Sequence, residues 1–545
     1  MTAPLYRQPT QSEIIELAVD EGHDADIPTN MGSIHQTPSH TPVPAEHEKK
    51  PNLAMDKDVE KGVTDRLSLS SDDGTETEHN TEEDPNVVWW DGPDDPENPL
   101  NWPFMKKWGA VALVSAITFL TPLASSMFAP GVPEIMQEFG STNDMLAGFM
   151  VSVYVLGFAF GPLIIAPLSE MYGRLILYHT CTWLFVVFSI AAAVASNMGM
   201  FIVFRFLMGC FGGAPMVLGG GTIADLIVRE QRGTAMSVWL MGPTIGPCVG
   251  PIIGGFLTQA RGWRWNFWFV AIVGGAIAIM SLVLMRETSA PVILKRKTNR
   301  LRKETGNLKL HSKLDTGLST KELFLFSIVR PAKMLFRSPI CFSISLYIAI
   351  TYSYLYILFT TFSSVFSTQY GWSGGIVGLS FLGLGLGSLV GQFVFTHWGN
   401  KTAAKHIELG DFKPEHRLYI MAYGGPLLPI GLFMYGWSVQ AQTHYMVPMV
   451  GTALVGFGLL MVFMPASTYL VDVFTVHAAS AMAASTVLRS LMGALVPLSS
   501  TRMYAAMGYG WGNSLLGFVG FAMVPIPFLF LRYGEKIRAR STVKL

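Results

Sequence analysis

The stretch "GPTIGPCVGPIIGG", residues 242–255, lies inside a long apolar run yet holds five glycines and three prolines in fourteen positions. Gly242, Gly246, Gly250 and Gly254 are spaced by four, so on a helix they form one stripe that winds only about 40° per step. A partner helix can approach such a bare backbone closely. Pro243, Pro247 and Pro251 form the adjacent stripe. Each removes a helix hydrogen bond and frees the carbonyl four residues earlier. In hydrocarbon a freed carbonyl must find another partner, so this face is expected to be covered by protein. The stretch therefore reads as a kinked, closely packed membrane helix.

The rest of the chain supplies the setting. Of 545 residues, 50% are hydrophobic and 14% charged, with a mean hydropathy of +0.38. That balance points to a polytopic membrane protein. The first twenty residues contain Glu13, Glu16 and Asp20 and no apolar core, so no signal peptide is expected. The formal net charge of zero conceals a division: residues 1–107 hold 8 Lys/Arg and 23 Asp/Glu, and the remainder holds 30 and 15. Cys181, Cys210, Cys248 and Cys341 all fall in apolar runs, where small packing residues are expected rather than a disulfide framework or metal site.

Residues 1–86 are rich in Asp, Glu, Ser, Thr and Pro and read as a disordered acidic cytoplasmic tail, in which Ser68, Ser70 and Ser71 stand beside Asp72 and Asp73. In 87–107, Trp89, Trp90, Trp102 and Trp108 (just beyond) bracket Lys106 and Lys107, a pattern suited to an interfacial headgroup anchor. Twelve apolar runs follow, centred near 118, 157, 186, 210, 245, 276, 351, 385, 427, 458, 495 and 521. This predicts an all-α membrane protein with a six-helix bundle at 108–285, a basic cytoplasmic linker at 286–340, a second six-helix bundle at 341–532 and a tail at 533–545. The linker carries 13 basic residues and four acids; the connections near 129–147, 363–375 and 437–446 carry no Lys or Arg. Both termini are thus expected inside, with Arg261 and Arg264 the exception to the positive-inside pattern. Asn400-Lys401-Thr402 matches a glycosylation acceptor but falls in a cytoplasmic connection, so it is expected to stay unmodified.

The six-and-six division suggests an internal duplication. "TIADL" and "TYLVDVF" place Asp225 and Asp472 at corresponding ends of helices 4 and 10, and "GPCVGP" answers "MGALVP" in helices 5 and 11.

Several stretches resemble one family. The helix 5 run, with Gly246, Gly250-Pro251 and Gly254-Gly255, is similar to the antiporter motif of the major facilitator superfamily, with Ser237 where the family has a first glycine. "GPLIIAPLSEMYGR" (161–174) resembles the motif joining helices 2 and 3, with Glu170 where many members have Asp, and "RFLMGCFGGAP" from Arg205 resembles the helix 4 motif. "NPLNWP", "GWRWNFW" and "YGWGNSLLGF" narrow the likeness to fungal twelve-helix drug:proton antiporters, over about residues 87–540. The resemblance implies the major facilitator fold. It also implies secondary active efflux of small amphipathic or aromatic compounds, such as drugs, toxins or secondary metabolites, with polyamine or other organic-cation export as the alternative.

Site expectations follow. Arg205, inside the apolar part of helix 4, needs a partner, since an intramembrane Arg costs at least about 2.5 kcal/mol. It reads as a cavity-facing charge, against snorkelling to the outer interface. Glu170, Arg174, Asp225 and Arg229 sit at cytoplasmic helix ends and could form a gating latch, with Asp472 and Arg489 as second-half contributors. No Asp or Glu lies mid-helix, so the proton site must be Glu170, Asp225 or Asp472 at a helix end, or Glu134 on the outer side. Substrate-cavity candidates are Met208 and Phe211 in helix 4, Tyr347, Tyr352, Tyr354, Tyr356 and Phe359 in helix 7, and Met461, Phe463 and Met464 in helix 10. The expected partners are a small-molecule substrate, protons and lipid bilayer, with no nucleic acid. A monomer is expected, in the plasma membrane, with the vacuolar membrane as the alternative. With no histidine boxes, Cys/His metal spacing or P-loop, an enzyme, a cofactor, a metal and ATP-driven pumping are not expected. Nutrient uptake and non-transporting sensing remain as rivals.

Overall fold

A computed structural model describes residues 86–315 and 320–540. Ser68, Ser70 and Ser71 lie outside the described residues, as do the side chains of Arg229 and Asn400. Helix 1 is Phe104–Ser126, helix 2 Asp144–Tyr172 and helix 3 Arg174–Ala193. Helix 4 comprises Met198–Gly212 and Ala214–Leu226, interrupted at Gly213 ahead of Pro215. Helix 5 is Arg229–Arg261 and helix 6 Arg264–Leu284. After the linker come helix 7, Pro339–Tyr370, helix 8, Gly375–Gly399, helix 9, Pro414–Gln440, and helix 10, Met446–Phe474.

Eleven described runs are long and apolar enough to cross a membrane, and the last, Ala478–Ala539, has 62 residues. A helix of that length would measure about 93 Å, some three bilayer cores. Gly508 breaks it with φ 73° and ψ 174°. The run is therefore two spans, helix 11 at 478–507 and helix 12 at 509–539, and the twelve expected spans are present.

Each half has its own apolar core. The first gathers Val114, Ile117, Leu123, Phe128, Phe201 and Phe267; the second gathers Phe359, Phe362, Phe381, Tyr435, Val455 and Leu516. The halves meet where helix 2 lies along helix 11 and helix 5 along helix 8. Val155 and Leu156 of helix 2 and Leu240 of helix 5 join the second-half cluster. All four cysteines are free.

The face bearing the start of helix 1 carries a small extra assembly. Residues 87–88 pair in parallel with 311–312. Behind them Lys297, on the linker helix Ala290–Thr305, reaches Asp91 at 2.6 Å and Asp95 at 3.4 Å. Arg300 meets Glu97 at 3.2 Å. Three acids of the segment expected to anchor at headgroups thus clasp the basic linker. Trp102 is correspondingly buried in the first-half core beneath Lys106, not turned to lipid. Trp89 stacks under Lys313 of the linker, 4.8 Å away.

Candidate functional site

Helix 5 lies against helix 1 through all four glycines of its stripe. A Cβ on Gly242 would come within 2.9 Å of the Phe119 nitrogen, one on Gly246 within 2.8 Å of the Phe119 carbonyl, and one on Gly250 within 2.6 Å of the Leu123 carbonyl. At Gly254 it would overlap the Met127 carbonyl outright. Pro251 behaves as the hydrocarbon argument requires. Pro251 frees the carbonyl of Pro247, and Ser126 of helix 1 donates its hydroxyl to that oxygen at 2.8 Å.

The other side of the same helix meets the second half. Cys248 abuts Gly385, the Pro251 carbonyl abuts Gly378, and Gly255 abuts Gly375. Gln259 accepts the Gly375 N–H at 2.9 Å. Ser363 of helix 7 donates to the Ala129 carbonyl nearby, at 3.3 Å. The motif is therefore two-sided: the four-spaced glycines belong to the first half, and Gly255 with its neighbours belongs to the seam.

Arg205 is fully buried and corrects the expectation of a cavity-facing or snorkelling charge. Its Nη1 donates to Ala124 O at 3.0 Å and its Nη2 to Ser125 O at 2.9 Å. These carbonyls end helix 1, where the helix leaves acceptors unpaired and its dipole is negative. The rings of Phe128 and Tyr154 cover the guanidinium at 4.2 and 4.6 Å. Its partner is a helix terminus, not an acid.

At the terminal face, Arg174 opens helix 3 with Nε 3.5 Å from Asp225 Oδ2. Thr288 donates to the same oxygen at 3.3 Å, and Arg174 Nη1 donates to Ser169. Glu287, which sequence reasoning counted only among the linker acids, caps this helix: its carboxylate accepts the N–H groups of Arg174 at 2.9 Å and Leu175 at 3.3 Å. Gly173, at φ +100°, leaves room for that carboxylate. Glu170 is exposed at the end of helix 2, with Arg174 and Arg330 the nearby cations. In the second half Asp472 pairs with Arg417, Nε to Oδ2 at 2.9 Å. Arg489, expected with Asp472 as a second-half contributor to the latch, makes no ion pair among the described residues. Glu134 is exposed on the far face.

The aromatic and methionine candidates separate. Met208, Tyr347, Tyr354 and Met461 are buried within the bundles. Tyr354 is held by its hydroxyl on Leu516 O at 2.8 Å, and Phe211 stacks on Phe188 of helix 3. Met464 packs in the second-half core, and Phe359 packs between Tyr356, edge-on, and Phe381, tilted. At the seam, Tyr356 places its hydroxyl 3.4 Å from Ser125 Oγ. Its ring lies 5.2 Å from that of Tyr352. Tyr352 and Phe463, both half-buried, flank Arg489.

One described trio could ligate a cation: His406, Asp411 and His416, between helices 8 and 9, bring ligand atoms within 4.8 Å of one another. His406 Nδ1 lies 2.9 Å from Asp411 Oδ1, and this bond holds the Asp411 carboxyl below the usual range.

Sequence comparison decides the family. The profile described as Major Facilitator Superfamily matches residues 114–497. The chain belongs to the major facilitator superfamily. It is 57% identical over 459 residues to "MFS-type transporter penM" of Penicillium rubens, covering 84% of this chain and 90% of that one. It is 52% identical over 469 residues to "Efflux pump radE" of Floropilus chiversii, covering 85% and 87%. Among solved structures, a partially occluded inward-open xylose transporter XylE from E. coli superposes with a TM-score of 0.58 at 16% identity, over 78% of this chain and 97% of that one. The facilitator fold is thus shared well beyond sequence likeness. As a member of this superfamily, the chain is a multi-pass membrane transporter and not an enzyme.

Proposed function

We propose that this transporter exports small amphipathic or aromatic compounds of fungal secondary metabolism by proton antiport, acting as a monomer in the plasma membrane with both termini cytoplasmic. The observation that carries the reading is the two-sided helix 5. Its glycine stripe locks it to helix 1, so that it moves with the first half, while Cys248, Pro251, Gly255 and Gln259 close on helix 8 of the second. A seam of small residues between two rigid cores can part and re-form without unpacking either core. The names of the relatives, an efflux pump among them, favour outward movement. Orientation is supported by the basic linker on the terminal face and by Arg264 on the far face, whose charge is matched by Glu138. That pairing removes half of the exception to the positive-inside pattern.

Proton coupling is assigned to Asp225 and Asp472, each set against an arginine at the terminal face. A protonated carboxyl releases its arginine, and the terminal ends of the helices can then separate. The test is transport into sealed vesicles holding the full chain under an imposed pH gradient, with a panel of aromatic metabolites, lipophilic cations and polyamines. Substrate movement should follow the gradient and slow in Asp225→Asn. Movement indifferent to the gradient excludes antiport, and coupling unchanged in the variant removes Asp225 from it.

A further inference from the structure

Arg205 and Arg489 are two cations deep in membrane spans; each has a buried Nε without an acceptor, but only Arg205 has its terminal nitrogens bonded. Arg205 is sealed by carbonyls and rings. Arg489, in helix 11, has no hydrogen-bond or ion-pair partner among the described residues, and its Nε is buried without an acceptor. Two aromatic rings lie close to its guanidinium carbon, with ring centres at 4.8 Å for Tyr352 and 5.2 Å for Phe463. With no acceptor bonded among the described residues, the N–H donors along the guanidinium edge are unused.

The position of Arg489 is at the seam rather than toward lipid. One turn further along, Gly493 lies against Tyr352 and against Val155 of the first half, where a Cβ would sit 2.9 Å and 3.5 Å from them. Tyr352 continues to Tyr356, whose hydroxyl reaches Ser125 of helix 1. Helices 1, 2, 7, 10 and 11 therefore converge on this point. Asp472, the acid of the neighbouring helix 10, is engaged by Arg417. A cation in a low-dielectric seam without a counter-charge raises the local concentration of anions. A guanidinium edge framed by rings matches a planar oxyanion carried on an aromatic body.

We infer that Arg489, with Tyr352 and Phe463, forms a binding site for the acidic group of an aromatic carboxylate, so that the exported compounds include organic anions. The inference rests on the efflux reading for its physiological meaning, but binding at equilibrium tests it separately.

The experiment uses the full chain in lipid nanodiscs at pH 7 without a gradient. The ligands are benzoate, 2-naphthoate and 9-anthracenecarboxylate, each paired with its methyl ester, and binding is measured by equilibrium dialysis. At least one acid should bind about tenfold more tightly than its ester. Arg489→Gln should remove that preference and leave ester binding unchanged. Arg489→Lys, which keeps the charge but not the fork, should retain only part of it, and it serves as the second variant should the glutamine form fail to fold. Acids binding no better than esters, neither class binding, or a variant weakening both alike overturns the inference. Acid-selective binding lost in Arg489→Gln sustains it even where vesicles move nothing under a gradient, a result that would sink the efflux reading alone.

Discussion

Arg417 donates from Nε to Asp472 Oδ2 at 2.9 Å, where helix 9 begins and helix 10 ends, and so repeats in the second half the Arg174–Asp225 pair of the first. A further carboxylate stands near each pair, in a different role. Glu287, after helix 6, caps the start of helix 3. Glu415, at the start of helix 9, lies 3.6 Å from Arg538 at the end of helix 12. Two bundles built on one plan thus carry matched charge pairs at the same face, as an internal duplication requires.

The two pairs share no partner, so their contributions should add. Asp225→Asn and Asp472→Asn are each expected to lower stability by about 1 kcal/mol, and the double variant by the sum. Thermal unfolding in detergent at neutral pH measures this. A double variant no worse than either single one would show that the clusters are coupled.

The glycine stripe predicts a graded steric effect. Gly246→Ala and Gly250→Ala press a methyl onto helix 1 backbone and should each cost about 1–3 kcal/mol. Gly254→Ala should be the worst of the series, because its methyl has no room beside the Met127 carbonyl. Gly275→Ala in helix 6 meets nothing within 4 Å and should be neutral or slightly stabilising. Yield and unfolding temperature of the four variants, ranked against one another, provide the check.

These contacts also indicate what was legible in the sequence. Four-residue spacing disclosed the stripe, because helical periodicity depends only on local order. It did not disclose that the stripe serves helix 1 while its last glycine, Gly255, serves helix 8; that depends on which helices are neighbours. Arg205 announced its need for a partner, but the partner is backbone at the end of a helix some eighty residues earlier, and a carbonyl leaves no mark in sequence. Arg489 is expected with Asp472 as a second-half contributor, yet the partner of Asp472 is Arg417. The signal for the true partner was in the repeat: "GRLIL" at 173–177 and "HRLYI" at 416–420 place Arg174 and Arg417 alike. Helix 7 carries tyrosines around much of its circumference, so type alone could not separate Tyr354, buried against helix 12, from Tyr352 at the seam.

Ser126 and Pro251 should show compensation. Ser126→Ala leaves the Pro247 carbonyl buried without a donor and should cost about 1–3 kcal/mol. Pro251→Ala restores an N–H four residues after that carbonyl, so helix 5 can close its own hydrogen bond. Ser126→Ala should therefore cost markedly less in the Pro251→Ala background. A double-variant cycle on unfolding free energy reads the coupling, and strict additivity would show that the hydroxyl does not serve this carbonyl.

The clasp between the N-terminal segment and the linker helix should open in acid. Burial alone would raise the Asp95 carboxyl. The N–H groups of Asp91 and Glu97, at 2.9 and 2.8 Å, together with Lys297 outweigh it and hold the group below its ordinary value of 3.8. A carboxylate depressed in the folded state contributes stability that is full above the ordinary value and is lost as pH falls through the lowered one. The clasp should therefore hold from neutrality down to about pH 4 and loosen below it. Asp95→Asn should weaken it at pH 7 by about 2 kcal/mol, since Lys297 keeps only the exposed Asp91. Amide exchange across residues 290–305, corrected for the intrinsic dependence of exchange on pH, measures both effects. Protection that is constant through pH 3 in the unmodified chain would remove Asp95 as the group that holds the linker.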